Sequence, residues 1–146
     1  MDSRRVAPTV GIVASILVVV LLGLPYVIVD AASVSSYYGS GVLSPWGSGL
    51  VATLAIIAFA AGRQGRTDPE TAAGGGLVFG FFALLVAFLW ATTVPAEVPL
   101  NLTANEPWLG SLSTGTVLEY HRWVLSGVAA IPFLAGVWYA RVLRVW

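Results

Sequence analysis

Four long apolar stretches dominate the pattern of hydrophobic and polar positions along this chain. They cover residues 6–29, 46–62, 73–95 and 120–141, and polar segments separate them. A helix needs about 20 apolar residues to cross the hydrocarbon layer of a bilayer. The pattern therefore predicts an all-α membrane protein in which one domain, residues 1–146, holds four transmembrane helices. We expect a compact antiparallel bundle with loops at 30–45, 63–72 and 96–119.

Two prolines fall within the predicted helices. Pro25 is expected to kink or end the first helix, because proline lacks the N–H group and its ring clashes with the preceding turn. Pro132 lies midway along the fourth helix, where it frees the carbonyl of Val128 and bends the helix. Pro132 has two interpretations. One is a packing kink, which is tolerated because neighbouring groups satisfy the freed backbone. The other is a hinge, or part of the lining of a small cavity.

The arginines predict the orientation of the helices. Six of the seven lie at the chain ends or in the 63–72 linker, and only Arg122 lies on the other side. Cytoplasmic loops of membrane proteins are enriched in Lys and Arg, so both termini are predicted to be cytoplasmic. A cleaved signal peptide is the alternative interpretation of the first apolar stretch. The apolar region of a signal peptide spans about 7–15 residues, however, whereas residues 6–29 are 24 residues long.

Asn101 begins an N-glycosylation sequon, which is usable only on an outer face.

Composition supports a lipid-facing surface. Hydrophobic residues make up 58% of the chain and charged residues 10%, whereas roughly a quarter of a soluble domain is charged. The protein is therefore expected in the cell membrane as a multi-pass protein, with the lipid bilayer as its surroundings. The formal net charge is zero, which gives no reason to expect a nucleic-acid partner. Without cysteine, the chain forms neither a disulfide nor a thiolate metal site.

The residues missing from the helix interiors narrow the function further. Between the predicted interfaces, no helix carries an ionisable residue, Asn or Gln, although ion-coupled transporters and proton relays usually need such groups at depth. The absence of lysine excludes a retinal Schiff base. With one histidine, and with Met1 as the only methionine, neither a self-contained haem site nor a His-rich zinc or copper site is expected. We therefore predict no cofactor and no metal.

The segment TVLEYHRW, residues 116–123, contains the one histidine. Glu119, His121 and Arg122 stand at the predicted outer end of the fourth helix, where Glu97 and Glu106 from the outer loop could join them. One interpretation is a polar interfacial collar, in which an acidic residue suits the positive end of the helix and an arginine reaches the headgroups. The other is a working site, with His121 and a carboxylate as an acid–base pair or His121 as one ligand of a shared metal. We prefer the collar.

Small residues recur at four-residue spacing in the third and fourth helices. Such residues let helix backbones approach closely in lipid. They face either other helices of the same bundle, which we prefer, or a partner protein or second copy. The candidate packing residues are Gly76, Gly80, Ala83, Ala87, Gly136 and Ala140.

A weak internal similarity links two segments. Residues 48–63 and 126–141 both begin with Ser-Gly and end with Arg. Both would run from the outer to the inner face. Convergent composition explains this similarity, and a two-hairpin repeat is the alternative, since parallel repeats occur in membrane proteins.

The composition as a whole resembles that of a known group of proteins. Arginine without lysine, no cysteine, abundant Ala, Val and Gly, and an acidic predicted outer face resemble small four-helix integral membrane proteins of halophilic archaea. Actinobacteria and other organisms with GC-rich genomes share such a composition. The halophile families are largely uncharacterised, so the resemblance implies a location in the membrane and no particular activity.

Three functions fit the sequence. The preferred one is a non-enzymatic subunit or scaffold that packs with partner helices. The second is a small homo-oligomeric transporter or channel for a neutral solute. The third is an outer-face enzyme that uses His121 and Glu119. The pore of the second would be lined by the hydroxyls of Thr53, Thr92, Thr93 and Ser126.

Overall fold

A computed structural model describes residues 2–95, 97–100 and 114–145. These residues form helices and no β-strand, so the predicted all-α bundle is confirmed. Four spans are long and apolar enough to cross a membrane: Ser3–Ile28, Trp46–Arg63, Pro69–Thr93 and Val117–Val142. The helices within the described residues are α1 (Ser3–Gly23), α2 (Pro25–Ile28), α3 (Ala31–Gly39), α4 (Trp46–Arg63), α5 (Pro69–Thr93), α6 (Glu97–Leu100) and α7 (Thr114–Val142).

Side-chain caps explain why two of the long helices begin earlier than the apolar pattern indicates. Asp2 caps α1, because its carboxylate accepts the backbone N–H of Arg4 at 3.0 Å. Asp68 caps α5 in the same way, accepting the N–H of Thr71 at 3.1 Å. Pro69 occupies the first turn of α5, where its missing N–H leaves no bond unmade. These caps satisfy N–H groups that have no partner inside the helix.

The prolines act differently in the first and fourth spans. α1 ends at Gly23 and the chain restarts a helix at Pro25, so the first span is interrupted at its far end. α7, by contrast, continues through Pro132 without a break. α5 packs closely against this part of α7, because a Cβ at Gly80 would lie 2.8 Å from the carbonyl carbon of Pro132.

The four long helices form a ring. α1 and α5 each pack against both α4 and α7, and the diagonal pairs touch little. The short helix α3 lies within residues 30–45, for which the sequence predicted only a loop. It buries Val34, Tyr37 and Tyr38 in the core formed around Leu22 and Trp90. The end of the ring where α1 stops and α7 begins is therefore filled by side chains from a connecting segment.

Small residues lie where the long helices approach most closely. A Cβ at Gly80 would stand 2.6 Å from the backbone nitrogen of Phe133, and one at Gly136 would stand 2.6 Å from the backbone nitrogen of Leu77. Gly76 faces the ring of Phe59 on α4. The alanines of the same pattern, Ala83, Ala87 and Ala140, are buried. All six candidate packing residues thus face helices of their own chain. Many large apolar side chains, among them Val20, Leu50 and Phe88, are exposed on the outside of the bundle.

We expect Gly80→Ala to destabilise the bundle by about 1–3 kcal/mol, because the added methyl group would meet the backbone of α7 and force two helices apart. Gly127→Ala is the matched control, since a Cβ there has nothing within 4 Å. The control should be neutral or stabilising by up to about 1 kcal/mol, because alanine favours the helix over glycine. Unfolding in detergent micelles, followed by circular dichroism, measures both. Equal stabilities of the two variants would show that α5 and α7 are not in close contact at Gly80.

Candidate functional site

The interruption of the first span leaves backbone carbonyls at the end of α1 that need hydrogen-bond donors. A polar residue of α7 supplies one of them. Because Pro25 has no N–H, the carbonyl of Leu21, four residues earlier, lacks its usual helical donor. It accepts a long backbone bond of 3.4 Å from the N–H of Leu24. His121 Nε2 lies 2.6 Å from this oxygen. The hydroxyl of Tyr38 donates to the next carbonyl, that of Leu22, at 2.6 Å. Side chains from α3 and α7 therefore satisfy the open end of α1.

The second ring nitrogen of His121 meets Tyr37. The Tyr37 hydroxyl lies 3.1 Å from Nδ1 and 2.8 Å from the carbonyl oxygen of Leu118. A carbonyl can only accept, so Nε2 carries the proton that is donated to Leu21. In the neutral ring, Nδ1 and the carbonyl of Leu118 then share the single hydroxyl proton of Tyr37. In the protonated ring, Nδ1 donates to Tyr37 and the hydroxyl donates to Leu118. The hydrogen bonds of His121 to Leu21 and Tyr37 are thus compatible with both protonation states of the ring.

Aromatic rings enclose this histidine. The ring centroids of Tyr37, Tyr38 and Trp90 lie 5.9, 6.4 and 6.3 Å from that of His121. His121 is only 4% exposed. Burial raises the pKa of the Tyr37 and Tyr38 phenols far above their usual range, because the interior disfavours the charged phenolate. Both tyrosines therefore stay protonated and act as hydrogen-bond donors.

Arg122 performs a similar task for α5. Its Nη1 donates to the carbonyls of Val94 at 2.8 Å and Ala91 at 3.3 Å. Its Nη2 forms an ion pair with Glu119. The last carbonyls of a helix lack intrahelical donors and carry partial negative charge, so a cation there is favourable. At 6% exposure, Arg122 is held inside the bundle.

Two serines tie α5 to its neighbours on either side. Ser48 on α4 donates to the carbonyl of Ala83 at 2.8 Å, and Ser126 on α7 donates to that of Ala87 at 3.3 Å. These are the serines that open the two similar segments noted in the sequence. The similarity therefore has a structural counterpart, in which each flanking helix places a serine hydroxyl against a backbone carbonyl of α5.

The predicted outer cluster is divided by the fold. Glu119, His121 and Arg122 are neighbours on α7, but His121 binds α1 and α3, whereas the other two bind each other near the end of α5. Glu97 is exposed on α6, and within the described residues it forms no ion pair with Arg122. Glu106, like Asn101, lies outside the described residues. No carboxylate contacts His121 in the part of the chain that the structure describes.

The structure places other groups in the site that the sequence did not single out. The rings around His121 belong to Tyr37, Tyr38 and Trp90. In the sequence, the only sign of this cluster was the pair of adjacent tyrosines within a Ser- and Gly-rich segment. Among residues 2–95, 97–100 and 114–145, no three or more Asp, Glu or His side chains are grouped so that they could hold a metal ion.

The hydroxyls proposed to line a pore do not converge. Ser126 is buried against α5, whereas Thr53 and Thr92 are exposed on other helix faces. Each threonine hydroxyl bonds its own helix, as a lone hydroxyl in an apolar environment commonly does. The acceptors are the carbonyls of Gly49 for Thr53, Phe88 for Thr92 and Leu89 for Thr93, at 2.9, 3.0 and 2.6 Å.

Fold and site together define the class: an all-α bundle with four helices of membrane-spanning length, in which buried polar side chains tie helix ends to one another. Over residues 1–144 the chain matches the model of a family described as Family of unknown function (DUF7548), and it belongs to this family. No curated protein and no solved structure matches the chain.

Tyr37→Phe and His121→Ala are each expected to destabilise the bundle by about 1–3 kcal/mol, because each leaves a buried acceptor or donor without its partner. Their effects should be coupled. Both changes remove the same Tyr37–His121 bond, so the double variant should lose at least about 0.5 kcal/mol less than the sum of the single losses. Thermal or denaturant unfolding of all four proteins in micelles measures this cycle.

Tyr26→Phe is the control for the loss of a hydroxyl, because Tyr26 is exposed at the edge of the same aromatic cluster. It should change stability by less than about 0.5 kcal/mol. Strict additivity of Tyr37→Phe and His121→Ala would contradict the bond between them.

Proposed function

We propose that this protein is a multi-pass protein of the cell membrane and serves as a non-enzymatic subunit or scaffold that packs with partner helices. Four apolar spans and outward-facing large apolar residues support the location in lipid. The arginine-only basic residues and the acidic predicted outer loops support, as part of the same proposal, an origin in a halophilic archaeon.

The proposal of a non-enzymatic role rests on the hydrogen bonds of His121. Both of its ring nitrogens are bonded within the fold, to Leu21 and to Tyr37. A general base or a metal ligand needs a nitrogen that can reach a substrate or an ion. The acid assigned to the same site, Glu119, is paired with Arg122. Both groups are therefore accounted for by the need to hold helices together.

Because the small residues pack inside the bundle, a partner helix would have to contact larger side chains on its outer surface. Such contact would be by van der Waals packing, which drives helix association in lipid. α5 carries three exposed phenylalanines, Phe81, Phe82 and Phe88, at 43%, 46% and 50% exposure. We propose this surface of α5 as the first to test for partner contact.

Purification from native membranes tests the role as a subunit. We expect the tagged protein, extracted with mild detergent, to carry a second membrane protein in fixed stoichiometry, detectable by mass spectrometry. Phe82→Ser should weaken this association. Leu50→Ser is the matched control, because Leu50 is also a large exposed apolar residue, on the outer face of α4. A clean monomer or a homo-oligomer would contradict the role as a subunit.

Introduced cysteines test the orientation, because the chain has none of its own. Gln64→Cys lies after α4, and Ser44→Cys lies before it; both side chains are exposed. With cytoplasmic termini, a membrane-impermeant maleimide added to intact cells should label position 44 and leave position 64 unlabelled until the cells are lysed. The reverse pattern would overturn the orientation without affecting the fold.

A further inference from the structure

A charged cleft opens at the end of the bundle that carries the chain termini. It lies between α1 and α4, has a volume of about 440 Å³, and lies far from the polar residues around His121. Its lining combines two guanidinium groups, one carboxylate, one hydroxyl and two apolar side chains. The lining residues are Asp2, Arg5, Val6, Thr9, Val10 and Arg63.

Arg63 is held in place over this cleft. Its Nε donates to the hydroxyl of Thr9 at 2.8 Å, and that hydroxyl donates to the backbone carbonyl of Arg5 at 2.6 Å. The relay fixes the guanidinium through Nε, so its two Nη groups stay available as a planar pair of donors. Such a fork matches the geometry of a phosphate group.

The charge of the cleft is not neutralised internally. Within the described residues, the one carboxylate–guanidinium ion pair is Glu119–Arg122, at the opposite end of the bundle. Asp2 lines the cleft, but its carboxylate accepts the backbone N–H of Arg4 and caps α1. Two arginines against one aspartate leave the cleft with an excess of positive charge, which favours an anion.

An apolar groove lies next to the charged cleft on α1. A second cleft of about 310 Å³ shares Thr9 and Val10 with the first and extends along α1 to Leu17, beside Ile131 of α7. At 1.5 Å per residue, the helix rises about 12 Å from Thr9 to Leu17. This length covers most of one leaflet, which is about 15 Å thick in its hydrocarbon part.

We propose that these two adjoining clefts, which share Thr9 and Val10, bind one anionic phospholipid, with its phosphodiester against Arg5 and Arg63 and an acyl chain along the groove between α1 and α7. An inorganic phosphate would use only the charged half, and an uncharged lipid only the apolar half. This inference rests on the proposed location in a membrane, because the ligand is a component of the bilayer.

The test uses the full chain in an uncharged detergent, titrated with phosphatidylglycerol or with phosphatidylcholine of the same acyl chains and analysed by native mass spectrometry. Phosphatidylglycerol should bind more tightly. Arg63→Gln should weaken its binding roughly fivefold, the equivalent of about 1 kcal/mol for one arginine at a lipid surface. Thr9→Val should act in the same direction, because it releases the guanidinium of Arg63.

Two controls separate this site from general attraction to lipid. Arg66→Gln removes the same charge from an exposed position outside the cleft and should leave binding unchanged. In the apolar half, Val13→Trp should fill the groove and weaken binding of phosphatidylglycerol. Val20→Trp is its match, because Val20 is exposed on the same helix but does not line the groove. Circular dichroism confirms that each variant is folded.

Three results would overturn the proposal: equal binding of the two lipids, an equal loss from Arg66→Gln and Arg63→Gln, or displacement of phosphatidylglycerol by inorganic phosphate at similar concentration. The last would indicate a simple anion site. The outcome is separable from that for the subunit role. Lipid binding can fail while a partner still co-purifies, and a partner can be absent while lipid binding persists.

Discussion

The architecture depends on one constraint: a backbone carbonyl removed from water must find a hydrogen-bond donor. Pro25 takes the helical donor away from Leu21, and the end of α5 leaves further carbonyls open. His121 and Arg122, neighbours on α7, supply donors to these two places. One short stretch of α7 thereby joins the ends of α1 and α5 and holds Tyr37 of α3. An unsatisfied group at such a site costs about 1–3 kcal/mol, a large part of the stability of a small domain.

This constraint changes how the polar residues of the chain are interpreted. In the sequence, Glu-Tyr-His-Arg invites a choice between a catalytic site and an interfacial collar. The structure gives His121 and Arg122 a third role, because both are buried and both bind backbone carbonyls of other helices. A collar residue would keep its polar end in water or among headgroups. These residues are better described as internal connectors, and their identity follows from the groups they must satisfy.

The sequence predicts the elements better than it predicts the contacts between them. Length and hydrophobicity identify the four spans, and Asp68-Pro69 could have indicated the start of α5 as a cap followed by a first-turn proline. α3 was missed because its Ser- and Gly-rich sequence resembles a loop, whereas burial of Tyr37 and Tyr38 in the core stabilises it as a helix. The contacts of His121 could not be predicted from the sequence for a different reason. Its partners lie 84 and 100 residues away in sequence, and no local pattern encodes such pairs.

The two ends of the bundle use arginine in opposite ways. Arg122 is surrounded by carbonyl oxygens and a carboxylate, so its charge is balanced within the fold. Arg5 and Arg63 line an open cleft and have no carboxylate partner among the described residues. A balanced charge contributes little to the field outside the protein, whereas an unbalanced one attracts anions over about a Debye length. The asymmetry in effective charge between the two faces is therefore larger than a count of arginines suggests.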